Sequence, residues 1–220
     1  MTEIRGAIAY PLLAAIWLVM LLAGGAETWF DPPLLAFFYA GDVPLFAPVA
    51  IWITQLGGWI ALSLVTIVAT IFLLARSRYR DAGLFLLISL GGRFMVELQK
   101  MWSARARPEE DYLVAVHSLS FPSGHSANSM IVYLLVALLL VPGRFAVPAA
   151  ICLSILIGLS RLWLAVHWPS DVIGGWAFGI AWTLAMVRLT GIAGTSPPRP
   201  HFSGGGEDHE PGQGTSQRPG

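Results

Sequence analysis

The chain has 220 residues, of which 55% are hydrophobic and only 12% charged, and its formal net charge at pH 7 is +0. Its mean hydropathy of +0.67 is higher than that of ordinary soluble domains and predicts an integral membrane protein. The lack of excess positive charge argues against a nucleic-acid partner, and the single cysteine, Cys152, excludes an internal disulfide.

Six apolar stretches, each about long enough to cross a bilayer, follow one another along residues 1–190. We therefore predict an all-α fold, an integral membrane bundle of six transmembrane helices in one domain. The first stretch also resembles a secretory signal, but we favour an uncleaved helix because cleavage would leave an odd number of spans. The predicted spans are Ala7 to Ala23, Trp52 to Ala75, Ala82 to about Met101, His125 to Val141, Phe145 to about Leu164, and Pro169 to about Leu189.

Two segments lack the pattern of a membrane span. The segment from Glu27 to Pro48 combines acids, prolines and aromatic residues. It fits an ordinary connector and an interfacial segment that guides a lipid toward the site equally well. The tail from Gly191 to Gly220 is rich in Gly, Pro, Ser and Thr, which predicts a disordered cytoplasmic tail.

A histidine, an aspartate and an arginine lie close together in otherwise apolar sequence near the sixth span. His167 and Asp171 are four residues apart, on either side of Pro169. A carboxylate at this spacing can accept a hydrogen bond from one imidazole nitrogen and leave the other free to attack, which indicates a nucleophile. The alternative is that the pair simply caps the helix that begins at Pro169. Arg161, six residues before His167, suits a tetrahedral oxyanion such as phosphate.

Two more polar groups are found at the ends of apolar runs. Ser123 is a predicted N-cap, which places Gly124 and His125 in the first turn of a helix, where backbone N–H groups bind anions. Lys100 and Arg107 add two cations at the end of the third run. Together these positions predict a phosphate-binding site.

The three motifs, taken in order, resemble a known signature. Lys-x6-Arg-Pro begins at Lys100, Pro-Ser-Gly-His at Pro122, and Ser-Arg-x5-His-x3-Asp at Ser160. This is similar to the tripartite signature of the phosphatidic acid phosphatase type 2 (PAP2) superfamily, and no motif position departs from it. The match covers residues 100–171, and the segment from Ile53 to Gly57 resembles the start of an early family helix. The superfamily includes membrane lipid phosphatases, lipid phosphotransferases and soluble vanadium haloperoxidases, so the motifs indicate the chemistry better than the substrate.

The resemblance implies a role for each motif residue. His167, oriented by Asp171, would form a phosphohistidine, and His125 would act as the general acid. We expect no metal or other cofactor, because the motif histidines lack the neighbouring carboxylates or thiolates of a metal site. The phosphate-binding residues implied are Lys100, Arg107, Ser123, Gly124 and Arg161.

The predicted function is that of a lipid phosphatase in a bacterial inner membrane, with undecaprenyl diphosphate or a phosphatidate-like lipid as the substrate. Two alternatives remain open: a lipid phosphotransferase that uses a lipid hydroxyl as acceptor, and a catalytically inactive lipid-binding or transport module. A haloperoxidase is disfavoured by the membrane character of the chain.

The basic residues predict the orientation. Arg76, Arg78 and Arg80 lie together after the second span, and cytoplasmic segments carry an excess of such residues. Both termini are therefore expected in the cytoplasm, and the three motifs on the periplasmic face.

Arg93 and Glu97 lie in the third span outside the motifs, four residues apart, and Glu97 is three residues before Lys100. Ionised groups at membrane depth normally face the interior of a bundle. We predict a buried ion pair that supports Lys100 rather than a direct catalytic task.

Overall fold

The computed structural model describes residues 2–23, 28–39, 46–109, 113–116 and 118–191. This part of the chain forms eight α-helices and no strand, which confirms the predicted all-α class. The predicted disordered tail lies outside the described residues from position 192 onward. The helices are α1 (Thr2–Ala23), α2 (Asp31–Phe38), α3 (Phe46–Gln55), α4 (Trp59–Ala75), α5 (Tyr79–Ser103), α6 (Gly124–Leu139), α7 (Ala146–Trp163) and α8 (Pro169–Thr190).

Three helical stretches of the described chain are long and apolar enough to cross a membrane. They are Phe46–Ala75, Ala146–Trp163 and Pro169–Thr190, and the apolar helix Gly124–Leu139 is shorter. Helix α5 has 25 residues but carries several ionisable side chains, which makes it much less apolar than α4. Six spans therefore stay a prediction.

The second predicted span is broken, contrary to the single helix expected from Trp52 to Ala75. Helix α3 ends at Gln55, and α4 begins at Trp59. A Cβ atom on Gly57, between them, would lie 2.3 Å from Ile157 Cγ2 and 3.2 Å from His125 Cδ2. At the break, the backbone therefore lies so close to α6 and α7 that a side chain at position 57 would clash with them.

The segment between the first two predicted spans is partly helical. Asp31 opens α2, and prolines follow it in the first turn, where a missing N–H group costs nothing. The Asp31 side chain is fully buried. This segment is therefore more than a connector, since it contributes a buried charge to the interior.

Helix α6 packs closely against α8, and small residues on α8 make this possible. A Cβ atom on Gly175 would lie 2.8 Å from the carbonyl oxygen of Ser123, and one on Gly179 would lie 2.7 Å from that of Ala127. The close approach brings the amino-terminal ends of α6 and α8 side by side. The second motif lies at the start of α6, and the third motif, which begins in α7, ends at Asp171 in the first turn of α8.

Candidate active site

The three motifs meet at one end of the bundle, around a cavity of about 630 Å³. Helices α5 and α7 end here, whereas α6 and α8 begin here. The fold thus brings together residues from all three motifs, and six of the eight predicted catalytic and phosphate-binding residues line the cavity. These six are Lys100, Arg107, Gly124, His125, Arg161 and His167.

His167 lies in the connector just before α8, which begins at Pro169 as predicted. Its Nδ1 atom is 3.4 Å from Asp171 Oδ2, and the two residues are 2% and 0% exposed. Its Nε2 atom is 3.2 Å from Nη1 of Arg107. Because an arginine N–H can only donate, this contact is formed with an unprotonated Nε2, and the ring hydrogen is then on Nδ1, facing Asp171.

The environment keeps the His167 ring neutral. Burial, reinforced by the positive charges of Arg107 and Arg161, lowers the pKa of His167 well below its ordinary value. A neutral ring keeps the Nε2 lone pair available. The geometry therefore matches the predicted nucleophile, with Asp171 behind it.

Asp171 is held by a charged network that the sequence motifs do not contain. Arg105 donates from Nη1 to Asp171 Oδ1 at 2.7 Å and from Nη2 to Asp31 Oδ2 at 2.7 Å. Both ion pairs are almost completely buried. A buried arginine between two carboxylates fixes both of them, since each would otherwise be an unpaired buried charge.

Three further residues, Ser120, Trp168 and Ser170, also donate hydrogen bonds to the two carboxylates. Asp171 Oδ2 accepts hydrogen bonds from the Ser120 hydroxyl and, at 2.9 Å, from the backbone N–H of Trp168. Asp31 accepts from the backbone N–H of Ser170 at 2.9 Å and from its hydroxyl at 2.7 Å. We call the buried residues Asp31, Arg105, Ser120, Ser170 and Asp171 the anchor network.

Sequence reasoning missed Asp31 and Arg105. Arg105 lies in the spacer of the first motif and looked like an ordinary base of an outer loop. Asp31 is 139 residues from Ser170, and no local pattern connects the two. The available signal was weak: an acid and a base without local partners, both predicted near the same membrane face.

Arg161 forms the floor of the predicted phosphate site. It is 5% exposed in the last turn of α7, and its Nη1 atom donates to Thr54 Oγ1 at 2.8 Å. Its Nε atom is buried and has no hydrogen-bond partner among the residues that the structure describes. A buried charged donor left unpaired is costly, so this arginine is poised to bind an anion in the cavity. Thr54 belongs to the segment that resembles an early family helix.

Lys100 and Arg107 converge on the loop residue Ser118. Lys100 Nζ is 3.3 Å from the Ser118 hydroxyl oxygen. Arg107 donates from Nε to the Ser118 carbonyl at 2.7 Å and from Nη2 to its hydroxyl at 3.0 Å. One loop residue therefore sets the positions of two cations at the cavity.

The amino terminus of α6 confirms one prediction and corrects another. Ser123 is the N-cap, and its hydroxyl accepts from the backbone N–H of Ser126. However, Ser123 is fully buried, and its own N–H donates to the Asp171 carbonyl at 3.0 Å. Its backbone is thus committed to joining α6 to α8 and is not available to a phosphate. Gly124 does line the cavity, and a Cβ atom there would lie 3.6 Å from Lys100 Nζ.

The prediction of a buried Arg93–Glu97 pair is wrong. Both side chains are exposed and line the cavity. Glu97 instead forms its ion pair with Lys100, at 3.4 Å, and its side chain is 55% exposed. The four-residue spacing permitted a pair, but Lys100, three residues further along α5, is the partner that Glu97 contacts. The expected contact between Glu97 and Lys100 is present.

The described residues contain no group of three or more His, Cys, Asp or Glu side chains arranged to hold a metal ion. That the reaction proceeds without a metal stays a prediction, which a chelation experiment can test.

Residues 81–194 match the family model of the PAP2 superfamily. The chain belongs to this superfamily. The resemblance seen in the three motifs is therefore confirmed, and the helical architecture agrees with it.

Named relatives in the superfamily include lipid phosphatases. Phosphatidylglycerophosphatase B of Bacillus subtilis is 36% identical over 107 residues, which is 44% of this chain and 53% of the relative. The chain thus matches about half the length of that protein. The undecaprenyl-diphosphatase of Sulfolobus acidocaldarius is 26% identical over 196 residues, covering 83% of this chain and 92% of the relative.

Solved structures show the same fold. The transmembrane PAP2 type phosphatidylglycerolphosphate phosphatase of Bacillus subtilis superimposes with a TM-score of 0.73 at 28% identity, covering 82% of this chain and 94% of that one. LpxE of Aquifex aeolicus gives a TM-score of 0.60 at 20% identity, over 74% and 97% of the two chains, and shares the fold.

Proposed function

We propose that this protein is a membrane lipid phosphatase that hydrolyses a lipid phosphate or diphosphate through a phosphohistidine on His167. The observation that carries the proposal is the buried His167, which has Asp171 at Nδ1 and faces a cavity lined by cationic side chains. The lipid phosphatases among the relatives support the same chemistry.

In the first step, Nε2 of His167 attacks phosphorus in line with the bond to the lipid oxygen. As the N–P bond forms, the P–O bond breaks, and His125 donates a proton to the departing oxygen. Asp171 stabilises the positive charge that develops on the His167 ring. The anchor network matters here because it prevents the carboxylate from turning away.

In the second step, water attacks the phosphohistidine while His125 accepts a proton from it. The N–P bond breaks, and inorganic phosphate leaves with His167 neutral again. Lys100, Arg107 and Arg161 neutralise the phosphoryl oxygens in both steps. Fixed charges of this kind supply a large part of the rate in phosphoryl transfer.

The membrane arrangement that fits this function has six spans: α1, α3 with α4, α5, α6, α7 and α8. Arg76 and Arg78 lie between α4 and α5, and Arg80 lies in the first turn of α5, at the opposite end of these helices from the site. Their positive charge favours a cytoplasmic location for that end. The active site then faces the periplasm of a bacterial inner membrane, and both termini are cytoplasmic. Undecaprenyl diphosphate or a phosphatidate-like lipid is the proposed substrate class.

A substrate panel in detergent tests the function. Purified protein is given lipid monophosphates and diphosphates with and without a lipid alcohol, and free phosphate and phosphate transferred to the alcohol are measured. We expect phosphate release that survives chelation of divalent metals and is inhibited by vanadate, which adopts the five-coordinate geometry of the transition state. Transfer to the lipid alcohol in place of release would identify a phosphotransferase. No turnover of any lipid would contradict the proposal.

A further inference from the structure

The cavity continues below the catalytic residues, and its wall there carries polar groups that the described residues leave unpaired. Asn128 and Arg93 line this deeper part, on α6 and α5. The Asn128 Oδ1 atom is buried and has no hydrogen-bond partner within the part of the chain that the structure describes. Buried polar atoms in folded proteins are nearly always paired, so a group left open in a cavity wall points to a ligand.

Arg93 is the second unusual group. Its side chain forms no ion pair or hydrogen bond with the described residues of the chain, although α5 is one of the helices proposed to cross the membrane. An ionisable side chain at membrane depth is expensive and normally serves a function, most often in a pathway or binding site that it faces. Its location in the cavity wall therefore indicates an anion as its partner.

The two residues lie at similar depth, on adjacent antiparallel helices. A Cβ atom on Gly124 would lie 3.9 Å from Val96 Cγ1, and one on Gly92 would lie 2.5 Å from Ile131 Cδ1. These two contacts align α5 with α6. Asn128 lies between Gly124 and Ile131 on one helix, and Arg93 lies between Gly92 and Val96 on the other.

Asn128 also lies close to the place where the reacting phosphate is proposed to bind. The Asn128 Nδ2 atom lies 3.8 Å from the Cβ position of Gly124, and Lys100 Nζ lies 3.6 Å from the same point. The side-chain amide of Asn128 therefore lies directly below Lys100, one of the proposed phosphate-binding cations. Asn128 is also one turn after His125, the proposed donor to the leaving group, so the leaving group extends along this side of the cavity.

We propose that Arg93 and Asn128 bind the second, lipid-proximal phosphate of a lipid diphosphate. This inference rests on the proposed phosphatase function and names its substrate class. The bond that breaks joins the terminal phosphorus to the bridging oxygen. The terminal phosphoryl group moves to His167, the proton of His125 goes to the bridging oxygen, and the lipid monophosphate remains on Arg93 as the departing product. A lipid monophosphate would place an alkyl chain beside Arg93 and leave it unpaired.

The charges along the cavity agree with a substrate that carries more than one phosphate. Within the described residues, the cationic side chains that line it are Arg93, Lys100, Arg107 and Arg161, against one carboxylate, Glu97. Glu97 lies one turn from Arg93 but pairs with Lys100. Arg93 is thus the cation left over once the first phosphate has its three partners.

The test compares farnesyl diphosphate with farnesyl monophosphate, which share one lipid chain. We expect Arg93→Met to lower kcat/KM for the diphosphate by about 10- to 100-fold, the effect of losing a hydrogen bond to a charged group, and to change that for the monophosphate by less than about threefold. Asn128→Ala should lower the same ratio to a smaller extent, and Arg93→Lys should recover part of it. Equal losses on both lipids, or no loss on the diphosphate, would overturn the inference.

Two control variants locate the effect. Thr66→Val removes a cavity-lining hydroxyl on α4 that already donates to the Leu62 carbonyl at 2.7 Å, and Arg76→Met removes an exposed arginine that stacks on Phe72 at the far end of α4. Neither should change the ratio between the two lipids. A ratio that falls equally in Thr66→Val would contradict the assignment to Arg93.

A binding measurement separates this inference from the proposed function. Wild-type and Arg93→Met protein in detergent are titrated with farnesyl methylenediphosphonate and with farnesyl phosphonate, neither of which needs turnover to be detected. The diphosphonate should bind the wild type more tightly, and Arg93→Met should remove that preference. If the wild type hydrolyses neither lipid, the phosphatase proposal fails, but the binding preference still decides the role of Arg93. Equal binding of the two analogues to the wild type would overturn it.

Discussion

The two sides of the catalytic cavity differ in how completely their polar groups are paired. On the α8 side, the anchor network gives both carboxylates several partners and excludes solvent. On the side formed by α5, α6 and α7, Arg161 Nε and Asn128 Oδ1 have no hydrogen-bond partner among the described residues, and Arg93 lines the cavity. The first side is built to hold a nucleophile still, and the second is built to receive a charged ligand. Substitutions on the two sides are therefore expected to differ in the size and the kind of their effects.

The largest effect is expected at the nucleophile. His167→Ala should lower turnover by at least about 10⁴-fold and abolish phosphoenzyme formation, because His167 supplies the nitrogen that forms the covalent bond to phosphorus in the proposed mechanism. Phosphate release and acid-labile labelling of the protein measure both steps. His201→Ala, in the tail that carries no motif, is the matched control. Substantial turnover by a folded His167→Ala protein would remove the nucleophile assignment.

His125→Ala should lower hydrolysis of a lipid phosphate by about 10²- to 10⁴-fold, since an alkoxide is a poor leaving group without an acid. An aryl phosphate such as p-nitrophenyl phosphate needs little protonation, and its phosphoenzyme should still form. Rates for the two substrates in the variant and the wild type give the comparison. If both substrates lost the same factor, His125 would not be the acid.

Arg105→Met tests the anchor network. It leaves Asp31 and Asp171 buried without a cation, which typically costs about 3 to 5 kcal/mol, so thermal unfolding in detergent should occur at a clearly lower temperature. Phosphoenzyme formation should also slow, because Asp171 is no longer held behind His167. Arg105→Lys keeps the charge but cannot span both carboxylates, so it should recover stability better than the rate.

Arg144→Met is the control for this experiment, because Arg144 is exposed and stacks only on Phe145 among the described aromatic rings. It should change neither property. A stable and fully active Arg105→Met protein would show that the network does not position Asp171.

The smallest effect is expected for Glu97→Gln. The ion pair with Lys100 is long and half exposed, and such pairs contribute less than about 1 kcal/mol. Thermal stability should hardly change, and kcat/KM should fall only a few-fold as Lys100 loses one support. A loss as large as that of Arg105→Met would show that Glu97 belongs to a buried network after all.

Much of the site follows from local patterns in the sequence. The Ser123 N-cap, the start of α8 at Pro169 and the His167–Asp171 contact all depend on residues within a turn of each other. Capping and four-residue contacts have the same geometry wherever a helix begins, so short-range spacing predicts them. The resemblance of the motifs to a known family then indicated the chemistry.

Other features depended on how the helices pack. The Arg105–Asp31 pair, the commitment of the Ser123 N–H to Asp171 and the break at Gly57 each join segments that are distant in the chain. The four-residue spacing in α5 permitted an Arg93–Glu97 pair, but the packed structure leaves both side chains exposed in the cavity wall and pairs Glu97 with Lys100. Local spacing determines which contacts are possible within a helix, whereas the partner of a buried charge is determined by whichever segment the fold brings within reach.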